Sequence, residues 1–403
     1  MANIKLGILR ETKNPPDRRV ALAPAQAVEF IKEFPHIDLA VQFGGIRAYT
    51  DKEYSDLGIM MQEDMSDCDI LVGIKEVEKS ALIPNKTYMF FSHTAKKQEH
   101  NRSLLQAVIE NKIRLVDYEY LTDIHGIRLA AFGRWAGIVG AYNGLLGWGK
   151  RSGEFNLKRA HQCRDMDEFI GEIKKVKLPA IKILITGGGR VAHGAIETLE
   201  NAGIEHISPN DFTKKQYDYP VYTQIDPWHY AERNDGSEFD LKHFFKHPYE
   251  YKSTFLTYGN HADLLIACHF WDPRSPRFMT REDMMKPEFK MKVIADVSCD
   301  IDGPLPSTLR ASTIAEPFYG FDCKNNCETE PFAANEVTVM AVDNLPGEAP
   351  RNASIDFSKD LINKVFPALL NTDKDDIIKR ATIAENGKLT DAFSFLQDFL
   401  DEK

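Results

Sequence analysis

Short apolar runs at 4–9, 39–43, 70–74, 88–91 and 114–116 alternate with polar or helical stretches through the first third of the chain. A helix is expected over 25–32, entered through Pro24, and another over 102–110. Strands spaced by helices predict a parallel sheet with crossover connections. Near the middle, an apolar run from Lys182 enters Gly187-Gly188-Gly189-Arg190-Val191-Ala192, and a helical pattern follows that ends at Gly203. Further strands are expected at 262–267 and 292–297. From Asp356 the pattern is helical, with Leu361, Val365 and Leu369 on one face, then Ile377-Ile378 and 392–400.

The central glycines fit the pattern G-x-G-x-x-G/A of a dinucleotide-binding turn. Gly187 permits the tight turn, Gly189 lets a pyrophosphate approach the backbone, and Ala192 lets the helix pack on the strand. The N–H groups at the helix start then face the phosphates. The chain before Lys182 is long enough for a whole domain of its own.

Two stretches interrupt the alternation. Residues 130–149 are apolar but carry Arg134, Asn143 and several glycines, which predicts a helix buried between domains in preference to a membrane span. Residues 212–259 are polar, aromatic and irregular, and read as an insertion between the second strand of the nucleotide domain and the next. The expected organisation is a substrate and catalytic domain over 1–138 plus 325–403, and a dinucleotide-binding domain over 139–324 with the insertion 212–259.

Composition narrows the function only at its margins. The 403 residues are 43% hydrophobic and 27% charged, as in ordinary globular proteins, and the net charge of -10 with no basic arm argues against nucleic-acid binding. Met1 to Leu9 lacks a basic segment followed by a long apolar core, so a cytoplasmic protein is expected. The 6 cysteines are expected as reduced thiols, with Cys323 and Cys327 the one close pair. No Cys/His spacing suits a metal site.

In open parallel sheets, ligands sit at the carboxyl ends of the strands. Those ends in the first third carry Arg10-Glu11, Lys75-Glu76, His93 and Glu119. Together they make a cleft with proton donors, proton acceptors and anion binders. Arg18-Arg19, Arg128 and Arg134 add guanidinium forks suited to carboxylates, and so to a substrate carrying more than one. Asp211 lies roughly 20 residues past the turn, where an acid meets the adenosine ribose of NAD, but Lys214-Lys215 suit a 2′-phosphate. NAD and NADP both stay open.

These residues carry a resemblance. Arg10-Glu-Thr-Lys13, Arg18-Arg-Val-Ala-Leu-Ala-Pro24, Gly73-Ile-Lys-Glu76, Phe91-Ser-His93 and Ala130-Ala-Phe-Gly133 resemble the alanine dehydrogenase/transhydrogenase superfamily. Ser253-Thr-Phe255, Ser275-Pro-Arg-Phe-Met-Thr-Arg-Glu-Asp283, Val293-Ile-Ala-Asp-Val-Ser298, Glu316-Pro-Phe318 and Val342-Asp-Asn-Leu-Pro346 look like its saccharopine dehydrogenase and lysine–ketoglutarate reductase branch. The resemblance implies an α/β fold of two Rossmann-like domains with parallel sheets and an interdomain active-site cleft. It implies acid–base roles for Lys75 and His93, a carboxylate-binding role for Arg19, and substrate-lining roles for Glu119 and Arg128. Glu76 would hold or tune Lys75. Gly187, Gly189, Arg190, Val191 and Asp211 would bind the cofactor, with Asp343-Asn344 at the nicotinamide.

The implied chemistry is nicotinamide-dependent oxidation of an amine to an imine, then hydrolysis to a keto acid and an amine. The number of arginines favours saccharopine over alanine. Alanine dehydrogenase is the enzymatic alternative, and a non-catalytic nucleotide-sensing protein is the alternative of another class. Amino-acid and keto-acid substrates are the expected partners, with no membrane partner; a homo-oligomer stays open.

Overall fold

The computed structural model describes residues 3–13 and 16–401, so Met1 and Ala2, where the leader reading begins, lie outside the described residues. The chain divides into two compact units, Met1–Phe132 with Pro350–Lys403, and Gly133–Ala349. The later boundary falls at 350 rather than 325, because strands as late as Val337–Met340 pair inside the second unit.

The first unit is built on β1 (Ile4–Ile8), β2 (Ile37–Gln42), β3 (Met60–Gln62), β4 (Ile70–Val72), β5 (Thr87–Phe90) and β6 (Arg114–Asp117). All six are parallel, in the order β3-β2-β1-β4-β5-β6. Both faces are covered, which is why Leu6, Ile8, Leu71, Val72, Met89, Phe90, Leu115 and Val116 are all buried. The strand order reverses between β1 and β4, and that reversal opens a crevice at their carboxyl ends.

The tail departs from its helical reading. Helices Pro350–Asp360, Phe366–Leu370 and Ile377–Ala381 lead into Thr382–Glu385, which pairs antiparallel with β6, and then Lys388–Leu389. These two strands complete an eight-stranded sheet among the described residues. They are too short to print an alternating pattern, and burial against β6 decides their state. The three-residue β3 escaped the pattern for the same reason.

The second unit contains β7 (Lys182–Thr186), β8 (Glu205–His206), β9 (Val221–Ile225), a hairpin of β10 (Ala231–Arg233) and β11 (Tyr251–Ser253), β12 (Leu264–Ala267), β13 (Val293–Asp296), β14 (Phe318–Asp322), β15 (Cys327–Thr329) and β16 (Val337–Met340). Its main sheet runs β15-β14-β16-β13-β12-β7-β9-β8, parallel except around β14. The switch point here lies between β7 and β12.

Residues 212–259 are therefore not a simple insertion. They contribute β9, which pairs along the whole of β7. Many of their aromatic residues are core: Phe212, Tyr230, Phe244, Tyr251 and Phe255 are buried with Phe278, while Tyr219, Trp228, Phe245 and Tyr249 are exposed. The glycine-rich stretch forms the helix Gly133–Ser152, which belongs to this unit. A Cβ on Gly137 would come 1.7 Å from Val191 O, and one on Gly194 2.0 Å from Arg134 O. Only glycines let this helix cross the helix Arg190–Asn201 so closely. Among the described residues no helix is long and apolar enough to cross a membrane.

Candidate functional site

The crevice between β1 and β4 in the first unit collects charge. Glu11 follows β1, and its Oε1 and Oε2 accept the backbone N–H groups of Ile74 (2.7 Å) and Lys75 (2.9 Å). Burial pushes the Glu11 carboxyl up to about 7 against the pull of those two N–H groups. Lys75 is held below its ordinary range, first by burial and then by the nearby Arg19 guanidinium. Glu76 pairs with Lys13 at 2.5 Å. Burial alone would raise the Glu76 carboxyl, but Lys13 and, more weakly, His93 hold it below its ordinary value.

Arg19 lies almost fully buried and forms a bidentate pair with Asp17, with Nε to Oδ1 at 3.0 Å and Nη2 to Oδ2 at 2.6 Å. Its guanidinium stacks over Phe132 at 4.2 Å. Burial opposes ionisation of Asp17, yet Arg19 holds it at about 2. The segment after Arg19 is fixed from far along the chain. Ser354 Oγ accepts the Val20 N–H at 2.9 Å, and Ser358 Oγ accepts the Ala23 N–H at 3.0 Å and donates to Ala21 O. Tyr54 donates its hydroxyl to Leu22 O at 2.7 Å.

Next along the sheet, His93 follows β5 and adopts a left-handed backbone, φ 54°. Its Nδ1 lies 3.6 Å from Glu119 Oε1, and Lys96 Nζ reaches the same oxygen at 2.9 Å. Burial raises the Glu119 carboxyl, but the neighbouring His93 and Lys96 outweigh it and hold the group at about 2. The structure thus gathers Glu11, Arg19, Lys75, Glu76, His93 and Glu119 into one cluster with Lys13 and Asp17. Arg128 is exposed and bridged to Thr122. Arg134 is a surface group paired with Glu197 at 2.7 Å.

The second unit presents a different edge. Gly187 has φ 89°, and a Cβ there would lie 2.9 Å from both Cys268 O and His269 Cα. The turn is tied on both sides, Gly187 N–H to Ile225 O at 2.8 Å and Gln224 Nε2 to Gly187 O at 2.9 Å. Gly189 caps the helix that begins at Arg190, with Val191 in its first turn. This close-fitting glycine cradle at a helix start suits a pyrophosphate.

Asp211 is not at this cradle. It sits in the short helix Pro209–Lys214 and pairs with Lys215 at 3.1 Å. The acid at the turn is Asp226, which follows β9 and whose Oδ1 lies 2.3 Å from where a Gly188 Cβ would stand. Residue counting assumed that the first strand after the helix lies beside β7; here β9 does, so the acid comes one strand later. Trp228 and the largely exposed Phe270 each follow a strand adjacent to β7.

At the end of β13, Asp296 accepts hydrogen bonds from Ser298, Cys299 and Thr308. Beyond it, burial and then Asp296 push the Asp300 carboxyl up to about 6. The strand-end rule, applied to this half of the chain, would have found it. Asp343 is exposed, and Asn344 begins the turn Leu345–Glu348. Cys323 and Cys327 are both free thiols. Among the described residues no group of His, Cys, Asp or Glu is arranged to hold a metal ion.

Residues 7–139 match the family model for the alanine dehydrogenase/PNT N-terminal domain, and residues 159–392 match that for its C-terminal domain. The alpha-aminoadipic semialdehyde synthase, mitochondrial, of Mus musculus is 28% identical, covering 99% of this chain and 48% of that protein. The Arabidopsis thaliana alpha-aminoadipic semialdehyde synthase is 29% identical, covering 98% and 41%. The chain thus spans about half or less of the length of these relatives. Saccharopine dehydrogenase [NAD(+), L-lysine-forming] of Neurospora crassa is 27% identical, covering 92% and 91%. Among solved structures, an L-alanine dehydrogenase shares the fold at TM-score 0.66 and 17% identity, covering 99% of both chains. A transhydrogenase from Sinorhizobium meliloti does so at 0.58 and 16%, covering 96% and 98%.

Proposed function

We propose, from the premise that this chain belongs to the alanine dehydrogenase/PNT family, that it is a nicotinamide-dependent amino-acid oxidoreductase acting on a CH–NH bond. The substrate class is saccharopine in the lysine-forming direction, or lysine with 2-oxoglutarate in the reverse. The observation that carries this reading is the partly buried Lys75, held below its ordinary pKa range by burial and Arg19, in one cluster with His93. An amine held below its ordinary range gives up its proton more readily, as an acid–base group must.

When bound, a nicotinamide would supply the hydride acceptor for the substrate carbon. Lys75 takes the proton from the secondary amine as the imine forms. His93 takes a proton from the water that adds to the imine carbon. Lys75 returns its proton to the nitrogen as the neutral carbinolamine forms; as the C–N bond breaks, His93 gives its proton to the departing amine and Lys75 takes the hydroxyl proton of the forming keto group. Arg19 and Arg128 bind substrate carboxylates, Glu119 meets an ammonium, and Glu76 tunes Lys75. The glycine turn suits a dinucleotide because Gly187 takes a backbone that needs glycine against Cys268, and the space beside Gly189 is open to a ligand. Gly187, Gly189, Arg190 and Val191 would hold the pyrophosphate, and Asp343-Asn344 would approach the nicotinamide. Asp226 replaces Asp211 as the acid for the ribose hydroxyls, and its negative charge favours NAD over NADP. Trp228 and Phe270 offer faces for the adenine.

The test is reduced-cofactor oxidation with 2-oxoglutarate plus lysine, set against pyruvate plus ammonia, each with NADH and NADPH. Turnover with the first pair and NADH is expected. Turnover with pyruvate and ammonia alone would move the reading to alanine chemistry, and none with either pair would leave a nucleotide-binding protein.

A further inference from the structure

Lys75 and His93 both leave the sheet on loops, and a proton-transfer group on a loop is only as well placed as its backbone. Two buried carboxyls fix those backbones. Glu11 takes the N–H groups of Ile74 and Lys75, one on each oxygen. The neighbouring groups are also tied, Gly73 N–H to Met89 O, Phe91 N–H to Ile74 O, and the Tyr118 hydroxyl to Gly73 O at 3.0 Å. Asp117 does the same one strand further along. Its Oδ2 accepts the backbone N–H of Ser92 at 3.1 Å and the Ser92 hydroxyl at 2.5 Å, while Oδ1 accepts the Glu119 N–H at 2.8 Å. Ser92 immediately precedes His93, whose left-handed backbone needs outside support in a residue that is not glycine.

We propose that Glu11 and Asp117 are positioning residues, Glu11 presenting Lys75 and Asp117 presenting His93 together with Glu119. The proposal rests on the reading of Lys75 and His93 as the acid–base pair. A carboxylate suits the task because it offers two acceptors and no donor to two converging N–H groups. An amide of the same shape would turn an N–H toward one of them.

Both groups stand where ionisation is opposed. Burial raises Glu11 to about 7 and raises Asp117 as well. The charged and titratable groups facing Glu11 are Asp17, Arg19 and Tyr118, and those facing Asp117 are Glu119, Tyr118 and Tyr120. When Glu11 takes up a proton its grip on the Lys75 loop weakens, which adds an ionisation to the acid limb of the rate profile.

The experiment measures kcat, KM, dinucleotide Kd and the pH–rate profile of the full chain for wild type, Glu11→Gln, Asp117→Asn, Lys75→Met and the double variant Glu11→Gln/Lys75→Met. Glu11→Gln and Asp117→Asn should each lower kcat by roughly 100-fold, the scale of an ångström of misplacement. Dinucleotide Kd should stay in place, and Glu11→Gln should remove one ionisation from the acid limb. In the Lys75→Met background, Glu11→Gln should cost nothing further, because the amine it positions is gone. Wild-type kcat in folded Glu11→Gln or Asp117→Asn, with only a lower melting temperature, would overturn the proposal and leave the function standing. An additive further loss in the double variant would overturn it too. Unchanged turnover in Lys75→Met would instead sink the functional reading. If Glu11→Gln does not fold, Asp117→Asn and the milder Ser92→Ala carry the test, and full kcat in both would overturn the proposal.

Discussion

The two sheets have closely related strand orders and put their switch points to opposite uses. In the first, the crevice between β1 and β4 is closed by Glu11, whose carboxylate occupies the backbone N–H groups of Ile74 and Lys75. In the second, the turn after β7 is bare backbone: Gly187 packs tightly against Cys268, and a side chain at 189 would meet nothing within 4 Å. One edge is made of titratable side chains and the other of bare backbone. The shared fold therefore assigns neither task; a few residues at the strand ends do.

That contrast can be broken most sharply at Lys75. Lys75→Met should lower kcat by about 100- to 10,000-fold, the range for a lost acid–base group. Dinucleotide affinity, measured by fluorescence titration with NADH, should be unchanged. Parallel loss of both would erase the distinction between the two edges.

The converse change comes next. Gly187→Val must hold a β-branched residue at φ 89° against Cys268 O. It should weaken NADH binding by roughly 10- to 100-fold, as a strained backbone site implies. The same titration reads it, and a value near wild type would mean that the cradle does not receive the cofactor.

A smaller effect is expected at Asp226. Asp226→Ala should weaken NADH by about tenfold, the scale of a hydrogen bond to a charged group. NADPH should lose far less, so the preference between the two narrows. An unchanged ratio would remove Asp226 from the ribose site.

The smallest effect is on stability against pH. Glu11, raised from 4.5 to about 7, holds in the native state a proton that the unfolded chain has shed. Its contribution is full below pH 4.5 and declines as pH rises toward 7, and Asp300, raised from 3.8 to about 6, acts the same way. Asp17 and Glu119, both lowered to about 2, contribute above pH 4.5 and lose that contribution as pH falls toward 2. Thermal melts of Glu11→Gln between pH 4.5 and 7 should therefore slope less than those of wild type. Identical slopes would show that Glu11 titrates normally.

The strand ends of the first third were legible because each lies just after a conspicuous apolar run. Arg10-Glu11, Lys75-Glu76, His93 and Glu119 follow such runs directly, and counting from the run finds them. Asp226 was hidden because β9 lies in a polar, aromatic stretch that carries no clean alternation. The ribose acid was therefore sought by residue count and placed at Asp211. The strands Thr382–Glu385 and Lys388–Leu389 were hidden by their length, since two to four residues print no period.

The sequence by itself determined two α/β units, a glycine turn of the dinucleotide-binding pattern and the identities of the acid–base candidates. These are local properties: an apolar period, a backbone that needs glycine, and a charged residue one step past a strand. Only the tertiary structure decided which strand lies beside β7, and so which acid meets the turn. It also decided that Ser354 and Ser358, from the far end of the chain, would grip the segment behind Arg19. Such contacts follow from which buried N–H groups must find acceptors once the layers close, and no stretch of sequence contains both partners.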